Sequence, residues 1–488
     1  MTAGTNHMPG PVLALPPTRE LPREPDRAAF DSIAGKATDP ASHALALDLY
    51  KLLLERRGLT RRPAATMSIF GLLSAGFIAA AVSLTLVPWN RFGRPRALSE
   101  RPIWIVLHDP QETRSRQVMR LAAAAAPEKI AVLVVGRRDA NGVRRSLTRL
   151  NPRLRVLRPI SLVSLIGAVR QLPAILARLR SMEQALSESG GAAIGFRNSA
   201  AICFRAVAGL AHARWLARQH AVPDAIILGH TGTAEATLLE HAAHARGVQT
   251  VHLLHGKCDG PMGFAISDVA VCRSRFDARM LAGFGGYGRA VALPPPAASP
   301  TRPRQPLEWI VCSNLAHPGG AAYAAQGIDA EIGFIRLVAG ARRRSAVPGR
   351  FFFRLHPAIA SLPAGERSAV ERELAEHDFV RDEGGEIGQA VSGRIVLTTP
   401  STVFMDAIGH GAPTLVYEEK HTSPGTFVPS VPVELRFADC ETLAAGLHTL
   451  ATDPARLDAA LREARAEFAA AEPESLDEVL RVAGIVPR

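Results

Sequence analysis

The sequence predicts an α/β fold of two Rossmann-like domains that face each other across a cleft. Three observations predict it. From residue 103 onward, short apolar runs alternate with longer segments of helical periodicity, the pattern of strands joined by helices. The 488 residues are too many for one ordinary core. A proline-rich segment, 294–306, breaks the pattern, so we expect a first domain at 101–293, this segment as linker, and a second domain at 307–488.

The composition limits the classes of partner. Lys and Arg number 57 against 45 Asp and Glu, which gives a net charge of +12 and favours anionic partners. Nucleic acid is not expected, because aromatic residues make up only 5% of the chain and no nucleic-acid-binding motif is present. The five cysteines are scattered and never form a C-x-x-C pair, which argues for a reducing compartment and against a zinc site.

An N-terminal extension, 1–66, precedes the domains and is expected to be partly disordered, with a short helix at 44–57. The next segment, 67–90, is a candidate membrane-anchor helix. It contains an uncharged stretch, 68–87, of a length that spans a bilayer, with arginines on both sides. The alternative is a buried helix of a soluble domain, since many small residues lower its hydrophobicity. We expect the chain in the cytoplasm, associated with the inner face of the plasma membrane.

The first domain is expected to alternate strands with long helices. Helices are expected at 111–126, 163–186 and 199–219. The strands are expected at 103–107, 130–135, 225–228, 249–254 and 268–272. The fourth of these strands ends in His255, which sets a polar side chain at the edge of the sheet.

The second domain is organised around the stretch 395–417, which predicts a strand, a tight turn, a helix and a strand. Pro400 ends the first strand, and Ser401 and Thr402 stand where the helix begins. A helix N-terminus at the carboxyl end of a parallel strand suits an anion, most of all phosphate. The alternative is that the two hydroxyls only cap a structural helix. The domain's other strands are expected at 308–312 and 350–355, with helices near the C-terminus at 441–450 and 454–471.

Polar residues follow the strands of the second domain, and we expect them to line the cleft. His356 comes directly after an apolar strand and, with His255, is a candidate catalytic group, since an imidazole can donate to a phosphate or move a proton. A structural role is the alternative for each histidine. The candidates for the donor phosphates are Arg354, Ser401 and Thr402. The candidates for the nucleotide are Ser313, Asn314, Glu418 and Glu419.

Three segments carry a resemblance to a known group. They are AAHARGVQTVHLLHG (242–256), RLHP (354–357) and PSTVFMDAIGHGAP (400–413). Together they resemble the signature blocks of GT-B transferases that build bacterial surface polymers, a group that includes CDP-glycerol glycerophosphotransferases, capsule polysaccharide transferases and polysialyltransferase-like proteins. The resemblance covers about 225–417. The first 100 residues have no counterpart in it.

The resemblance implies a transfer from a nucleotide-activated sugar or a CDP-glycerol-like donor to a saccharide or lipid-linked acceptor, without a metal or a cofactor. It implies that His255, His356, Ser401 and Thr402 hold the donor's phosphates. Two departures stand out. Leu254 precedes the His-Gly pair where such enzymes often have Gln. The acidic pair and glycine, 382–384, follow the His-Pro motif rather than precede it, which argues against sialyl transfer.

Two other functions remain open on the sequence. A nucleotide-sugar epimerase shares the two-domain architecture, and a non-catalytic module of the same fold could serve as a binding or assembly subunit of a membrane polymer complex. The general base that would activate the acceptor is not identified, although His108, Asp109 and Asp259 are candidates. Turnover of the donor distinguishes the enzymes from the binding module.

Overall fold

The chain forms two parallel sheets, and the expected fold class of two Rossmann-like α/β domains is confirmed. The computed structural model describes residues 30, 39–56, 69–84, 101–107, 113–135, 140–188, 196–254, 264–284, 286–295, 303, 306–313, 315, 327–356, 359–360, 362–382, 384–399, 401–417 and 431–486. The expectations for residues 1–29 and for most of the linker lie outside these ranges.

The first sheet has seven parallel strands in the order β3-β2-β1-β4-β5-β6-β7. Its central strands are buried on both faces, which explains why they read as continuous apolar runs rather than alternating ones. The strands are β1 (Ile103–Leu107), β2 (Ile130–Val134), β3 (Arg155–Leu157), β4 (Ala225–Leu228), β5 (Gln249–Leu253), β6 (Val269–Cys272) and β7 (Arg289–Ala292). The two edge strands, β3 and β7, were not predicted.

The second sheet has six parallel strands in the order β10-β9-β8-β11-β12-β13. The predicted unit 395–417 forms as expected, with β11 and β12 paired side by side. The strands are β8 (Glu308–Ser313), β9 (Arg350–Leu355), β10 (Val380–Arg381), β11 (Ile395–Thr398), β12 (Thr414–Tyr417) and β13 (Arg436–Phe437).

Helices cover both sheets. Those that precede the linker are α1 (Pro40–Arg56), α2 (Ile69–Leu84), α3 (Thr113–Ala124), α4 (Ala140–Leu150), α5 (Leu162–Val169), α6 (Leu172–Glu188), α7 (Phe196–Ala217), α8 (Ala234–His244) and α9 (Arg275–Phe284). Those that follow it are α10 (Ile328–Ser345), α11 (Ala364–Glu376), α12 (Ile387–Val391), α13 (Thr402–Gly409), α14 (Cys440–Thr452), α15 (Asp458–Phe468) and α16 (Leu476–Ala483). The helix expected at 163–186 is thus two helices, α5 and α6.

The extension contributes to the core of the first domain. Residues 44–50 of α1 are almost all buried, in one apolar cluster with α5, α6, α7 and α8. Helix α7 crosses α8 at Gly209, where an added Cβ would lie 2.6 Å from the carbonyl oxygen of Ala234. The close crossing therefore requires glycine at this position.

Helix α2, the described part of the candidate anchor, packs along α7 and also contacts α5 and α6. Ala75 and Ala79 on its inner face are buried, whereas Leu73 and Phe77 on its outer face are exposed. Among the described residues, no single helix is long and apolar enough to cross a membrane, and α5 with most of α6 meets that test only as a pair bent by 46°. The structure thus shows α2 half-buried in the first domain.

The last helix returns to the first domain. Helix α16 contacts β6, β7 and α3, and its apolar residues join the core cluster of the first sheet. The guanidinium of Arg289, on β7, donates to the carbonyl oxygen of Ala483. The packing therefore differs from the expected second domain of 307–488, whose last helix belongs to the first core.

The two domains meet at a junction made by the end of β6, by α13 and by the segment after α15. The ring of Phe468 lies 5.1 Å from that of Phe276 and 5.3 Å from that of Phe404, so it joins apolar residues of both domains. Beside this cluster, Arg273 and Asp406 form an ion pair of 2.5 Å in which both side chains are nearly buried. The junction fixes α13 against the carboxyl end of the first sheet.

Candidate functional site

The turn from β11 into α13 is the centre of the candidate site. Thr398 and Thr399 are fully buried at the end of the strand, and Ser401 follows at the N-cap position of α13 with extended backbone. The hydroxyl of Ser401 makes no capping hydrogen bond to α13, and the Thr398 hydroxyl lies 3.5 Å from it. The expectation that the hydroxyl caps a structural helix is therefore wrong for Ser401.

The arrangement around this turn can attract an anion. The first N–H groups of an α-helix have no partner within the helix, and the helix dipole places partial positive charge at this end. Thr402 begins α13, although its side chain lies outside the described part of the structure. The geometry around Ser401 thus suits a phosphate group better than an apolar ligand.

His356 lies at the same edge of the second sheet. It follows β9 directly and is half-buried, with its carbonyl oxygen accepting from the N–H of Ile359 at 3.0 Å. Strand β8 separates β9 from β11, and neighbouring strands lie about 4.8 Å apart. The ends of β9 and β11 therefore lie about 10 Å apart, with His356 following the one and Ser401 following the other.

Arg354, a predicted phosphate ligand, is held by other groups. Its guanidinium donates to Asp382 at 3.1 Å and to the carbonyl oxygen of Gly385 at 2.5 Å. Asp382 also accepts from Arg394 at 3.4 Å, and Arg394 pairs with Glu308 at 2.9 Å. Arg354 is thus one member of a partly buried ion-pair network, and a phosphate would have to draw it away from Asp382.

Ser313, between these positions, has a structural partner. Its hydroxyl donates to Glu331 at 2.9 Å, and both side chains are buried. This bond ties the end of β8 to the first turn of α10. The role of Ser313 in nucleotide binding stays a prediction.

Several predicted site residues lie outside the described ranges. They are His255, Asn314, Glu418 and Glu419, together with the candidate bases His108, Asp109 and Asp259.

Helix α8, which follows β4, carries two buried glutamates that the sequence did not predict. Glu235 lies in its first turn, and Glu240 lies farther along the helix. Glu240 accepts from Thr231 at 2.7 Å and from Ser267, and burial raises its pKa to about 7 despite these two bonds. Burial raises the pKa of Glu235 to about 8. The run GHTGTAE at 229–235 hinted at polar groups here, but an acid in a first helical turn ordinarily faces solvent.

Glu235 belongs to a cluster of charges that includes the N-terminal extension. Asp48 of α1 is buried and pairs with Arg205 of α7 at 2.9 Å. Arg205 and Arg158 lower the pKa of Glu235, whereas Asp48 raises it further, and desolvation exceeds all three. Since Arg158 follows β3, the cluster joins α1 to the carboxyl edge of the first sheet.

Replacing Glu235 by glutamine is expected to stabilise the protein as pH rises. The native state holds this proton up to about pH 8, while the unfolded chain loses it near 4.5. The neutral form of Glu235 therefore makes its full contribution to the free energy of unfolding below pH 4.5. This contribution is lost as the pH rises toward 8. We expect Glu235→Gln to match the wild type at pH 5 and to exceed it by about 1 kcal/mol or more at pH 8, measured by urea unfolding.

The exposed Glu376 on α11 provides the control for this experiment. Glu376→Gln removes the same charge from solvent and should leave the pH profile of the wild type unchanged. A constant difference between Glu235→Gln and the wild type from pH 5 to 8 would show that Glu235 is ionised throughout.

In the described part of the chain, two buried cysteines are unreactive and no group of side chains is suited to a metal ion. Burial raises the pKa of Cys203 and of Cys312 to about 12, so neither is a thiolate near neutral pH. Among the described residues, no group of three or more His, Cys, Asp or Glu side chains could hold a metal ion. The groups that could take part in a reaction in this part of the chain are hydroxyls, imidazoles, guanidinium groups and buried carboxyls.

Comparison with known proteins gives fold-level likenesses only. No family model and no curated protein matches the sequence. Among solved structures, an O-GlcNAc transferase of Thermobaculum terrenum is 13% identical, with 94% of this chain and 83% of that chain covered and a TM-score of 0.41. A UDP-GlcNAc 2-epimerase of Neisseria meningitidis, bound to UDP-GlcNAc, is 9% identical over 78% of this chain and 98% of that chain, with a TM-score of 0.41.

A third likeness is to an Anabaena protein, HepE, in complex with UDP and glucose. It is 10% identical over 79% of this chain and 98% of that chain, with a TM-score of 0.40. The chain is similar to these structures at a level too low to transfer a site. The fold therefore stands on this chain's own two parallel sheets and their strand order.

Proposed function

We propose that the chain is a GT-B type transferase that moves a glycosyl or glycerophosphoryl group from a nucleotide-activated donor. One observation carries this proposal: Ser401 stands at the N-terminus of α13, at the carboxyl end of a central parallel strand, with its hydroxyl not used as a cap. Parallel α/β sheets bind phosphorylated ligands at such strand ends. The donor's diphosphate would accept from the Ser401 hydroxyl and from the first N–H groups of α13.

The reaction we propose is a displacement at the donor. The oxygen of the acceptor's hydroxyl bonds to the transferred group as that group's bond to the nucleotide phosphate breaks. The electron pair of the broken bond leaves with the phosphate, and the proton of the hydroxyl passes to solvent or to the departing phosphate. Negative charge therefore grows on the phosphate near α13. The helix dipole and the imidazole of His356 stabilise it, which lowers the barrier if these contacts strengthen in the transition state.

The acceptor in this proposal is a saccharide or a lipid-linked saccharide of a bacterial surface polymer, as the resemblance of the three sequence segments implies. The reaction takes place in the cytoplasm, where nucleotide-activated donors are made. His255 would approach the phosphates from the first domain. The proposal needs no metal, because the protein's own dipole and imidazole groups supply the positive potential.

A second candidate function is a nucleotide-sugar epimerase, which shares the architecture of two parallel α/β sheets. An epimerase would change the sugar of the donor and use no acceptor. Product analysis separates the two functions, since only a transferase releases free nucleotide in an acceptor-dependent reaction.

Nucleotide binding is expected to depend on Ser401. A nucleoside diphosphate such as UDP or CDP should raise the melting temperature of the wild type by mass action. Ser401→Ala removes a hydroxyl that caps nothing, so we expect an unchanged melting temperature without ligand and at least half of the ligand-induced rise to be lost. The measurement is thermal unfolding over a nucleotide concentration series.

Ser475 offers a matched control because its hydroxyl does cap a helix, accepting from the N–H of Glu478 at 3.1 Å at the start of α16. Ser475→Ala should cost about 1 kcal/mol of stability and leave the nucleotide-induced rise intact. If Ser401→Ala instead lowers the melting temperature and keeps the full nucleotide response, the phosphate assignment is wrong.

A further inference from the structure

Among the described residues, the largest group of exposed apolar side chains lies on two neighbouring helices of the first domain, α2 and α5. We call it the α2–α5 apolar face. Its members are more than two-fifths exposed and are Leu73 (57%), Phe77 (75%), Ile78 (43%), Leu162 (51%), Val163 (62%) and Ile166 (45%). The two helices contact each other, and both pack on α7. An exposed patch of large apolar residues in a folded domain marks an interaction surface.

Helix α2 is apolar on both its inner and its outer side. Among its residues whose burial is described, Ala75 and Ala79 are buried on the inner side, and a Cβ added at Gly76 would lie 2.8 Å from a methyl carbon of Leu176. Leu73 and Phe77, one turn apart, are exposed on the outer side. A surface helix ordinarily has polar residues on its outer side, so the exposed apolar side of α2 needs another explanation.

The charges around the face are of one sign. Neither α2 nor α5 contains a charged residue. A guanidinium nitrogen of Arg214 would lie 2.9 Å from a Cβ added at Gly167 on α5, so this cation borders the face. Arg170 is exposed directly after α5. Arg170 and Arg214 thus make this border of α5 cationic.

We propose that the α2–α5 apolar face inserts in the plane of an acidic lipid surface. An apolar helical face bordered by arginines matches the boundary between lipid tails and anionic headgroups. Because the inner face of α2 is packed on the domain, the helix would lie along the membrane surface with its outer side chains among the lipids. A second copy of the chain fits less well, since α2 and α5 offer no acidic residue that could pair with Arg170 or Arg214 across a symmetric contact.

This inference goes beyond the proposed function and stands without it. A protein with no transferase activity could bind lipid through this face, and a soluble transferase would lack such binding. Failure of the nucleotide experiment therefore leaves this proposal intact, and failure of the lipid experiment leaves the site around Ser401 intact.

The test is co-sedimentation of the full chain with vesicles of phosphatidylcholine mixed with phosphatidylglycerol, and with vesicles of phosphatidylcholine alone. We expect binding to the acidic vesicles that weakens with added salt. The double variant Leu73→Ser/Phe77→Ser should reduce the partition coefficient by a factor on the order of 30 or more. Arg170→Glu should weaken binding to the acidic vesicles only.

Matched controls exist elsewhere on the surface. Val433 and Val486 are exposed to 70% and 86%, so Val433→Ser/Val486→Ser also removes two exposed apolar side chains. Arg343→Glu on α10 repeats the charge reversal at an exposed site. Both controls should bind vesicles like the wild type. Thermal unfolding should show that every variant folds, because the replaced side chains are exposed.

Four results would overturn the proposal. The wild type could fail to bind acidic vesicles. The Leu73→Ser/Phe77→Ser variant and the valine control could bind equally well. Size-exclusion chromatography could show a dimer that Leu73→Ser/Phe77→Ser separates, without vesicle binding, in which case the face is an interface between two copies. Equal binding of the wild type to both kinds of vesicle would overturn the assignment to acidic lipid.

Discussion

Replacing Asp406 by alanine is expected to destabilise the protein by about 3 kcal/mol or more, the largest stability effect that we predict for one side chain. Asp406 and Arg273 pair at 2.5 Å with side chains 14% and 8% exposed. Alanine removes this partner, and the guanidinium stays at the junction, where the Ala471 carbonyl oxygen lies at 3.3 Å and Glu472 at 3.8 Å. Removing one partner of a buried pair costs more than the pair contributes, because the remaining charge has lost its solvent.

A double variant and an exposed pair make this prediction specific. Arg273→Met/Asp406→Leu removes both charges and should recover much of the lost stability, measured as the urea midpoint. Arg381 and Glu371 form a pair with side chains 61% and 53% exposed, so Arg381→Ala should cost less than about 1 kcal/mol. An Asp406→Ala variant as stable as the wild type would mean that solvent reaches Arg273.

Replacing His356 by alanine is expected to lower turnover by a factor on the order of 10² or more, the size typical of one lost electrostatic or acid-base group. The imidazole is half-buried at the end of β9, so its removal should change the melting temperature little. Donor affinity should fall less than turnover, because the phosphate gains charge only as the bond breaks. The measurement is the rate of donor consumption at saturating acceptor, with thermal unfolding of the same preparation.

His377 is the matched control for this variant. It lies in the same domain, after α11, and contacts Glu373 at 3.1 Å. His377→Ala should cost a little stability and leave turnover per folded molecule unchanged. If His356→Ala behaves in this way, with a lower melting temperature and normal turnover, then His356 is a structural histidine.

The sequence predicts the parallel sheets well because their central strands are buried on both faces. The runs at 103–107 and 395–397 contain only apolar residues, a pattern that few other structures produce. The edge strands were missed for the opposite reason. Strand β10, Val380–Arg381, is two residues long and exposed, and its pairing with β9 depends on a neighbour distant in sequence. Local periodicity carries no information about such a partner.

In the candidate site, too, the sequence predicts the features that depend on local order and misses those that depend on distant residues. The strand-end positions of His356 and Ser401 follow from local order, and the sequence predicts both. The pairing of Arg354 with Asp382 and that of Arg273 with Asp406 join residues far apart in the chain, so spacing could not predict them. Glu235 was missed because its burial is caused by α1 and α7, whose positions the sequence does not specify.

The return of α16 to the first sheet affects how the protein is made. A ribosome releases the strands of the first domain long before it releases 476–485, and these last residues cover part of that domain's apolar core. The first domain therefore completes its core only after 476–485 have left the ribosome. A chain that stops after α15 would expose apolar surface on the first sheet. Residues 476–485 thus belong to the folding unit of the first domain, although the second sheet lies between them and that domain in the sequence.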